Sequence, residues 1–416
     1  MSRSNKGSRS WLLALSLLMG GAQAESNPAR IELASHCPPG FELTAANSCA
    51  LHSLYDQYNS LYNQGVGGLK TALPARREGF SPQQIDLGRQ LFFDPLLSGD
   101  QTLSCASCHH PKLGFADGQA KSTGIHGRTA SRGAPSLWNM AFLTSFFWDA
   151  RAKSLEEQMT GPLYSPNEMG NNPAQLLSSI NANSTYQRLF ATAYPGEPAQ
   201  PISLAQIYTA IAAFETSLIS LNSRYDHYAH GYAEALNANE LEGMNVFRSF
   251  VARCAECHTP PLFTNQQIAV IGVPEAPGQP FDTGAESQSH NPSWRGGFKV
   301  PSLRNIALTA PYMHNGAFAN LRDASEFYTK GRGHALPEEE KARVILHWHI
   351  WEPKLADLEL ERLVDFMQSL TDESFTPAIP SQVPSGLTPG GRLPAALQSS
   401  TAKADPTPAR LVSQGE

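Results

Sequence analysis

Cys105-Ala106-Ser107-Cys108-His109 and Cys254-Ala255-Glu256-Cys257-His258 are two copies of the pattern Cys-x-x-Cys-His within 416 residues. In this pattern the two thiols form thioether bonds to the vinyl groups of a porphyrin, and the adjacent histidine binds its iron. Zinc sites and redox-active dithiols also use Cys-x-x-Cys pairs, but neither explains a histidine directly after both pairs. The sequence therefore predicts two covalently bound haem c groups.

Residues 1–24 have the composition of a secretory signal peptide. Three basic residues precede the apolar run 11–19, and Ala22-Gln23-Ala24 has the form of an A-x-A cleavage site. The apolar run is too short to cross a bilayer, and no later stretch approaches the roughly 18 apolar residues that a spanning helix needs. We expect an exported, periplasmic protein without membrane insertion.

Acidic residues outnumber basic ones, with 37 Asp and Glu against 31 Lys and Arg. Loss of the first 24 residues would make the chain still more acidic, because that segment holds basic residues and no acidic ones. This balance argues against nucleic acid as a partner and suits the docking of a basic redox protein.

Two further cysteines, Cys37 and Cys49, lie outside both motifs. In an oxidising compartment such a closely spaced pair is expected to form a disulfide, worth about 3 kcal/mol by loop closure. Two free thiols are the alternative.

The chain has the pattern of a duplicated helical unit. The capping box Ser81-Pro82-Gln83-Gln84 predicts a helix before the first motif, and Asn239 and Glu242 predict the start of one before the second. Each helix carries a Gly-x-x-x-Phe pair, Gly88/Phe92 and Gly243/Phe247. A glycine at this place lets a second helix cross closely.

The crossing helices are predicted at 203–219 and 358–370, where apolar residues recur at helical spacing. Because no convincing set of alternating strands is present, we expect an all-α fold of two cytochrome c-like domains, each with one covalently bound haem c. The predicted divisions are an N-terminal extension (25–74), a first haem domain (75–236), a second haem domain (237–372) and a tail (373–416). The tail is rich in Pro, Gly, Ser and Ala and is expected to be disordered.

Several further motifs resemble the bacterial dihaem cytochrome c peroxidase and MauG family. They are Leu91-Phe92-Phe93-Asp94-Pro95, the segments 146–151 and 155–170, and Pro301-Ser302-Leu303-Arg304-Asn305. They occur in order and cover roughly residues 80–372. The resemblance implies that the N-terminal haem reacts with hydrogen peroxide and that the second haem transfers electrons.

The resemblance also implies the haem-binding residues. The peroxidatic haem would be held by Cys105, Cys108 and His109, and the electron-transfer haem by Cys254, Cys257 and His258. The directly following His110 is expected to face solvent.

The resemblance assigns roles to four residues between the two motifs. Glu168 matches the distal carboxylate, which takes a proton from hydrogen peroxide and returns it to the leaving oxygen. Gln158 and Pro162 match neighbouring positions of the distal pocket, and Trp148 matches the tryptophan between the haems. Outside a family, such a glutamate is usually a helix cap and a lone tryptophan usually belongs to a core.

Tyr328 stands where the classical peroxidases have a methionine and where MauG-type enzymes have a tyrosine. A phenolate ligand stabilises oxidised iron and lowers its potential, which favours a MauG-like enzyme. The alternative is an ordinary half-buried tyrosine, with another residue binding the second iron.

Two other features of the family are incomplete in this chain. His126 lies in the loop where classical peroxidases often carry a switchable iron ligand, and it is otherwise a loop histidine. Thr309 and Pro311 match carbonyl ligands of a calcium ion, but Gly133 replaces the family's asparagine. Carbonyls and water could still hold calcium, which takes six to eight oxygen ligands.

The expected activity is reduction of hydrogen peroxide. The electrons would come from a small redox protein, a cytochrome c or a cupredoxin, or from a partner protein that becomes oxidised. The alternative is a non-catalytic dihaem electron carrier or redox sensor in which both irons are six-coordinate. The combination of Gln158, Pro162 and Glu168 favours the enzyme, because a carrier does not require it.

Overall fold

The computed structural model describes residues 30–57, 72–196, 201–330, 336–350 and 352–401. The predicted signal peptide, 1–24, lies outside these ranges. Within them the α-helices are α1 (Pro82–Phe92), α2 (Leu155–Tyr164), α3 (Pro173–Ala182), α4 (Ser184–Ala193), α5 (Leu204–Thr216), α6 (Arg224–Ala229), α7 (Ala238–Arg248), α8 (Cys254–Cys257), α9 (Glu286–Ser289), α10 (Leu321–Thr329), α11 (Asp357–Gln368) and α12 (Ala395–Thr401).

Four short strands accompany the helices: β1 (Phe41–Leu43), β2 (Cys49–Leu51), β3 (Ile268–Val270) and β4 (Gly297–Lys299). β1 pairs antiparallel with β2, and β3 pairs antiparallel with β4. The described chain is thus mostly helical, although the two small sheets were not predicted. In these same ranges, no helix has both the length and the apolar character needed to cross a membrane.

The same helix crossing occurs in both halves of the chain. α1 packs on α5, and α7 packs on α11. A Cβ atom on Gly88 would lie 1.8 Å from the carbonyl oxygen of Ala210, and one on Gly243 would lie 1.8 Å from that of Arg362. Only glycine allows backbones to approach this closely, so the close crossings predicted at the two Gly-x-x-x-Phe pairs are confirmed.

Side-chain caps fix where these helices begin. The predicted capping box between Ser81 and Gln84 is present at α1, and an equivalent box starts α5. The predicted start of α7 at Asn239 is wrong, because the helix is capped two residues earlier in the sequence. Asn237 caps this helix and forms a reciprocal box with Glu240, because an asparagine side chain accepts the N3 amide as well as a serine does.

Each crossing is surrounded by its own hydrophobic cluster. Leu87 and Ile211 belong to the first cluster, whereas Phe247 and Phe366 belong to the second. The described residues from Ile31 onward nevertheless form one compact unit. The boundary at residue 236 therefore stays a prediction.

The predicted disulfide between Cys37 and Cys49 is confirmed. The amide of Cys49 donates to the carbonyl of Phe80, immediately before the cap of α1. The amide of Ala34 donates to the Asp86 carboxylate within α1, at 2.9 Å. The described part of the N-terminal extension is thus attached to the first helix.

The expectation of a disordered tail is wrong for residues 373–398. Val383 is only 2% exposed and packs in a cluster with Phe92 and Phe93. The Ser385 hydroxyl donates to the buried Asp94 carboxylate at 2.6 Å. Composition misled here because the segment is anchored by individual contacts rather than by a periodic apolar face. We call residues 383–392 the C-terminal strap.

Gly243→Ala is expected to lower the free energy of unfolding by about 3 kcal/mol, because its methyl group would overlap a backbone carbonyl that cannot move without separating two helices. Denaturant unfolding of the haem-loaded protein measures this. Asn245→Ala, an exposed change on the same helix, is the control and should stay within about 0.5 kcal/mol of the parent. A loss below about 1 kcal/mol for Gly243→Ala would show that the crossing relaxes.

Candidate active site

The first Cys-x-x-Cys-His motif forms a tight turn that directs its side chains to one cavity. Cys105 and Cys108 line this cavity with His109. The Nδ1 atom of His109 lies 2.9 Å from the carbonyl oxygen of Phe115. A carbonyl only accepts hydrogen bonds, so Nδ1 carries the proton and Nε2 remains free to bind a metal. Burial lowers the pKa of His109, which favours the neutral ring that a metal requires.

The second motif, in α8, repeats this geometry. Nδ1 of His258 lies 3.2 Å from the carbonyl oxygen of Phe263 and 3.1 Å from that of Pro301, which again leaves Nε2 free. Cys254 and Cys257 line the same cavity as His258. Burial raises the pKa of the Cys254 thiol to about 12, so this thiol is protonated at neutral pH.

These donor sets fit covalent haem at both places. Each set has two thiols and one neutral imidazole whose second nitrogen is held by a backbone carbonyl, beside a largely apolar cavity. Among the described residues, one group of three metal-binding side chains lies together, Cys257 with His347 and His349. That group leaves out the first motif, so a zinc site does not explain the repeated pattern.

Gln158, Pro162 and Glu168 lie in the wall of the cavity of the first motif. Gln158 and Pro162 are one turn apart on α2, and Glu168 follows in the loop after this helix. The amide of Met169 donates to the carbonyl of Pro162 at 3.0 Å. This bond folds the loop back along α2 and thereby brings the glutamate to the glutamine and the proline.

The surroundings of Glu168 act on its carboxyl group in opposite directions. Burial is the largest influence and leaves the pKa above its ordinary value, although a hydrogen bond from Ser165 and the charge of Arg151 oppose it. Arg151 lines the same cavity and is held by Asp149 through 2.8 Å contacts. The site thus contains a carboxyl group that can exchange protons, with a cation nearby.

Sequence reasoning missed Glu215, a second carboxyl group in this cavity wall. It is 5% exposed, and its Oε2 atom has no hydrogen-bond partner in the described structure. Burial, followed by the charge of Glu156, raises its pKa to about 8. The sequence did carry a signal, because Glu215 falls on the apolar face of α5, four residues after Ile211.

Trp148 lies between the two motifs. The residue lines the cavities beside His109 and also the cavity that contains His258. The indole N–H donates to the carbonyl of Gly133 at 2.9 Å, and the Trp148 carbonyl accepts from the amide of Lys299 at 2.7 Å. These bonds fix the position of Trp148, whose role in electron transfer stays a prediction.

Tyr328, on α10, lines the cavity of the second motif. Burial, followed by the neighbouring thiols, raises its pKa. Met313 lines the same cavity, with a backbone φ of 71°. Tyr328 thus offers an oxygen donor and Met313 a sulfur donor for the position that sequence reasoning gave to Tyr328, and His314 and His349 line the same cavity.

The two other histidines near the first motif lie away from its cavity wall. The His126 side chain is 62% exposed, and its Nδ1 is 3.7 Å from the Asp100 carboxylate. The expectation that His110 faces solvent is wrong. It is 3% exposed, and its Nδ1 accepts the amide of Lys112, because the backbone turns back over the ring.

Thr309, Pro311 and Gly133 lie in the wall of one cavity, between the two motifs. The Thr309 hydroxyl donates to the carbonyl of Ile306, and the Gly133 carbonyl already accepts the indole N–H of Trp148. The predicted calcium ligands are therefore neighbours, but one nearby carbonyl oxygen already has a partner.

Comparison with known proteins identifies the family. A family model described as di-haem cytochrome c peroxidase matches residues 82–234. The methylamine utilization protein MauG of Methylorubrum extorquens is 32% identical over 300 residues, which cover 72% of this chain and 81% of that protein. Cytochrome c551 peroxidase of Pseudomonas aeruginosa is 34% identical, over 65% of this chain and 78% of its own length.

Solved structures agree. A MauG-like protein associated with microbial copper homeostasis has 34% identity and a TM-score of 0.66, covering 72% of this chain and 93% of its own. The diheme peroxidase BthA from Burkholderia thailandensis has 26% identity and a TM-score of 0.63, covering 77% of this chain and 99% of its own. This chain belongs to the di-haem cytochrome c peroxidase and MauG family. It is an oxidoreductase with haem as its cofactor.

Proposed function

We propose that this protein is a periplasmic peroxide-dependent oxidoreductase with its peroxide-reacting centre at His109 and its electron-transfer centre at His258. The two centres would belong to the domains 75–236 and 237–372. The observation that carries the proposal is the placement of Gln158, Pro162 and Glu168 in one cavity wall with the first motif.

Haem held at the first centre by Cys105, Cys108 and His109 would supply the iron chemistry that breaks the O–O bond of hydrogen peroxide. Glu168 takes a proton from one peroxide oxygen and gives it to the departing oxygen, and its raised pKa suits it to both steps. Gln158 can donate or accept a hydrogen bond at the cavity wall. Pro162 contributes an apolar ring to the same wall.

Electrons would reach the first centre through Trp148, which lines the cavities on both sides. Their source would be a small redox protein, a cytochrome c or a cupredoxin, or a partner protein that becomes oxidised. Tyr328 in the second cavity supports the second source, because an oxygen ligand lowers the potential of the iron it binds.

The optical spectrum of the oxidised, haem-loaded protein tests this proposal. We expect a high-spin component that disappears when hydrogen peroxide is added. Two low-spin haems that do not respond to peroxide would instead identify an electron carrier or a redox sensor. Haem content is measured on the same sample, and fewer than two haems per chain would contradict the proposal directly.

The ligand at the second centre is tested by exchanging its two candidates. Tyr328→Phe is expected to change the low-spin spectrum of the second haem and to raise its reduction potential, because the oxygen donor is lost. Met313→Leu is the matched control and should leave both properties unchanged. The reverse result would make Met313 the ligand and Tyr328 an ordinary wall residue.

A calcium ion held by the carbonyl oxygens of Thr309 and Pro311 is the remaining part of the proposal. Their shared cavity wall supports it, whereas the glycine at position 133 removes a side-chain oxygen. Elemental analysis of the purified protein tests this site. One calcium per chain is expected, and none would remove the site from the proposal.

A further inference from the structure

The C-terminal strap covers the first Cys-x-x-Cys-His motif. The hydroxyl groups of Ser104 and Ser107 both donate to the carbonyl of Gly390, at 2.9 and 3.0 Å. The Gly390 amide donates to the carbonyl of Phe93 at 2.7 Å. Both serines are buried, so these bonds are shielded from water. Residues far apart in sequence are thereby joined at the turn that carries the two thiols.

Arg392, the last residue of the strap, forms hydrogen bonds to a second loop. Its Nη2 atom donates to the carbonyl oxygens of Thr123 and Gly124, at 2.7 and 2.8 Å. Its own amide donates to the carbonyl of Thr102 at 2.9 Å. A guanidinium that binds two successive carbonyls fixes both the position and the direction of the backbone between them.

The loop that Arg392 binds, residues 123–125, in turn hydrogen-bonds to the backbone of Glu168. The amide of Ile125 donates to the carbonyl of Glu168 at 2.8 Å. A Cβ atom on Gly124 would lie 2.0 Å from the carbonyl oxygen of Asn167, so the two loops are in close contact. The guanidinium of Arg128 adds a bond to the carbonyl of Pro166 at 2.9 Å. Any displacement of residues 123–125 must therefore move Glu168 or break these contacts.

We propose that Arg392 is a positioning residue for Glu168, through which the C-terminal strap holds the distal carboxyl group in place. This inference rests on the proposed role of Glu168 and extends it to a segment far from the cavity in sequence. Arg392 acts on Glu168 through the backbone of Thr123 and Gly124. The contacts of Gly390 and Val383 hold the strap, and therefore Arg392, against the rest of the protein.

Arg392→Ala in the full-length, haem-loaded protein tests this role. Hydrogen exchange at the amides of residues 122–128 is expected to rise about tenfold or more, because two charge-assisted bonds are lost. With the loop loosened, water reaches Glu168 and its raised pKa falls towards the ordinary value. The acid limb of the pH profile for the peroxide reaction should therefore move to lower pH. Arg392→Lys, which keeps one cationic donor, should restore part of both effects.

Ser385→Ala is the matched control. It removes the hydroxyl bond to Asp94, but the Ser385 amide still donates to the Asp94 carboxylate, so the strap stays anchored and the contacts of Arg392 stay intact. We expect exchange at residues 122–128 and the acid limb to match the parent protein. The proposal would be overturned if amide exchange at residues 122–128 in Arg392→Ala matched the parent protein. It would also be overturned if both variants showed the same rise in exchange while the acid limb of their pH profiles stayed in place. The exchange measurement needs no turnover, so it remains decisive even if the assignment of Glu168 fails.

Discussion

Glu168→Gln is expected to slow the reaction of the oxidised protein with hydrogen peroxide by about 100-fold or more. Glutamine keeps the size of the side chain and can still form hydrogen bonds, but it cannot take up a proton and return it. Burial already raises the pKa of Glu168, so the parent carboxyl group exchanges its proton closer to neutral pH than an exposed glutamate does. Stopped-flow spectroscopy at several peroxide concentrations measures the rate.

Glu361→Gln, on the exposed side of α11, is the control for removal of one negative charge and should react at the parental rate. The haem spectra of the Glu168 variant before peroxide is added must match those of the parent, which separates lost chemistry from a disturbed pocket. A rate within threefold of the parent would remove Glu168 from the proposed mechanism. Glu215, the other buried carboxyl group in this wall, would then be the next residue to substitute.

Arg304→Ala is expected to reduce the free energy of unfolding by about 3–5 kcal/mol. The side chains of Arg304 and Asp226 are both 0% exposed and form a two-pronged pair with contacts of 2.6 and 2.7 Å. The Tyr55 hydroxyl also donates to Asp226. Removal of the guanidinium would leave the Asp226 carboxylate buried without its cation, which costs far more than the lost contact. Denaturant unfolding measures the difference.

Arg322→Ala is the matched control, because its pair with Asp357 is exposed and should contribute no more than about 1 kcal/mol.

Burial alone would raise the pKa of Asp226, but Arg304 and its hydrogen bonds hold it below the ordinary value. A lowered folded-state pKa gives stability that is present above the pKa of the unfolded chain, about 4. The difference in unfolding free energy between the parent and Arg304→Ala should therefore become smaller as the pH falls below about 4. A difference that stays constant down to pH 2 would contradict the role of this pair.

The sequence was most informative where one residue type satisfies a local requirement. Gly88 and Gly243 could be assigned to helix crossings because no other residue lets two backbones approach so closely. Ser81 and Gln84 marked the start of α1, since a capping box is complete within four residues. The grouping of Gln158, Pro162 and Glu168 came from the resemblance to the family, and in the structure a single helix and its following loop carry all three.

The C-terminal strap and Glu215 could not be predicted in the same way. The strap is held by bonds between residues nearly three hundred positions apart, such as Ser104 with Gly390, and no local pattern encodes such a bond. Glu215 lies on the apolar face of α5, but sequence alone does not show which cavity that face borders. In both cases the missing information was which distant parts of the chain meet.

Trp148 forms part of the wall of the cavities at both Cys-x-x-Cys-His motifs. In the low-dielectric interior, a charge gained or lost on one side of this ring is felt on the other. The two irons are therefore expected to behave as one electrostatic unit. The midpoint potential of each iron is then expected to depend on the oxidation state of its neighbour, so the fully reduced, mixed-valence and fully oxidised forms would be distinct chemical species.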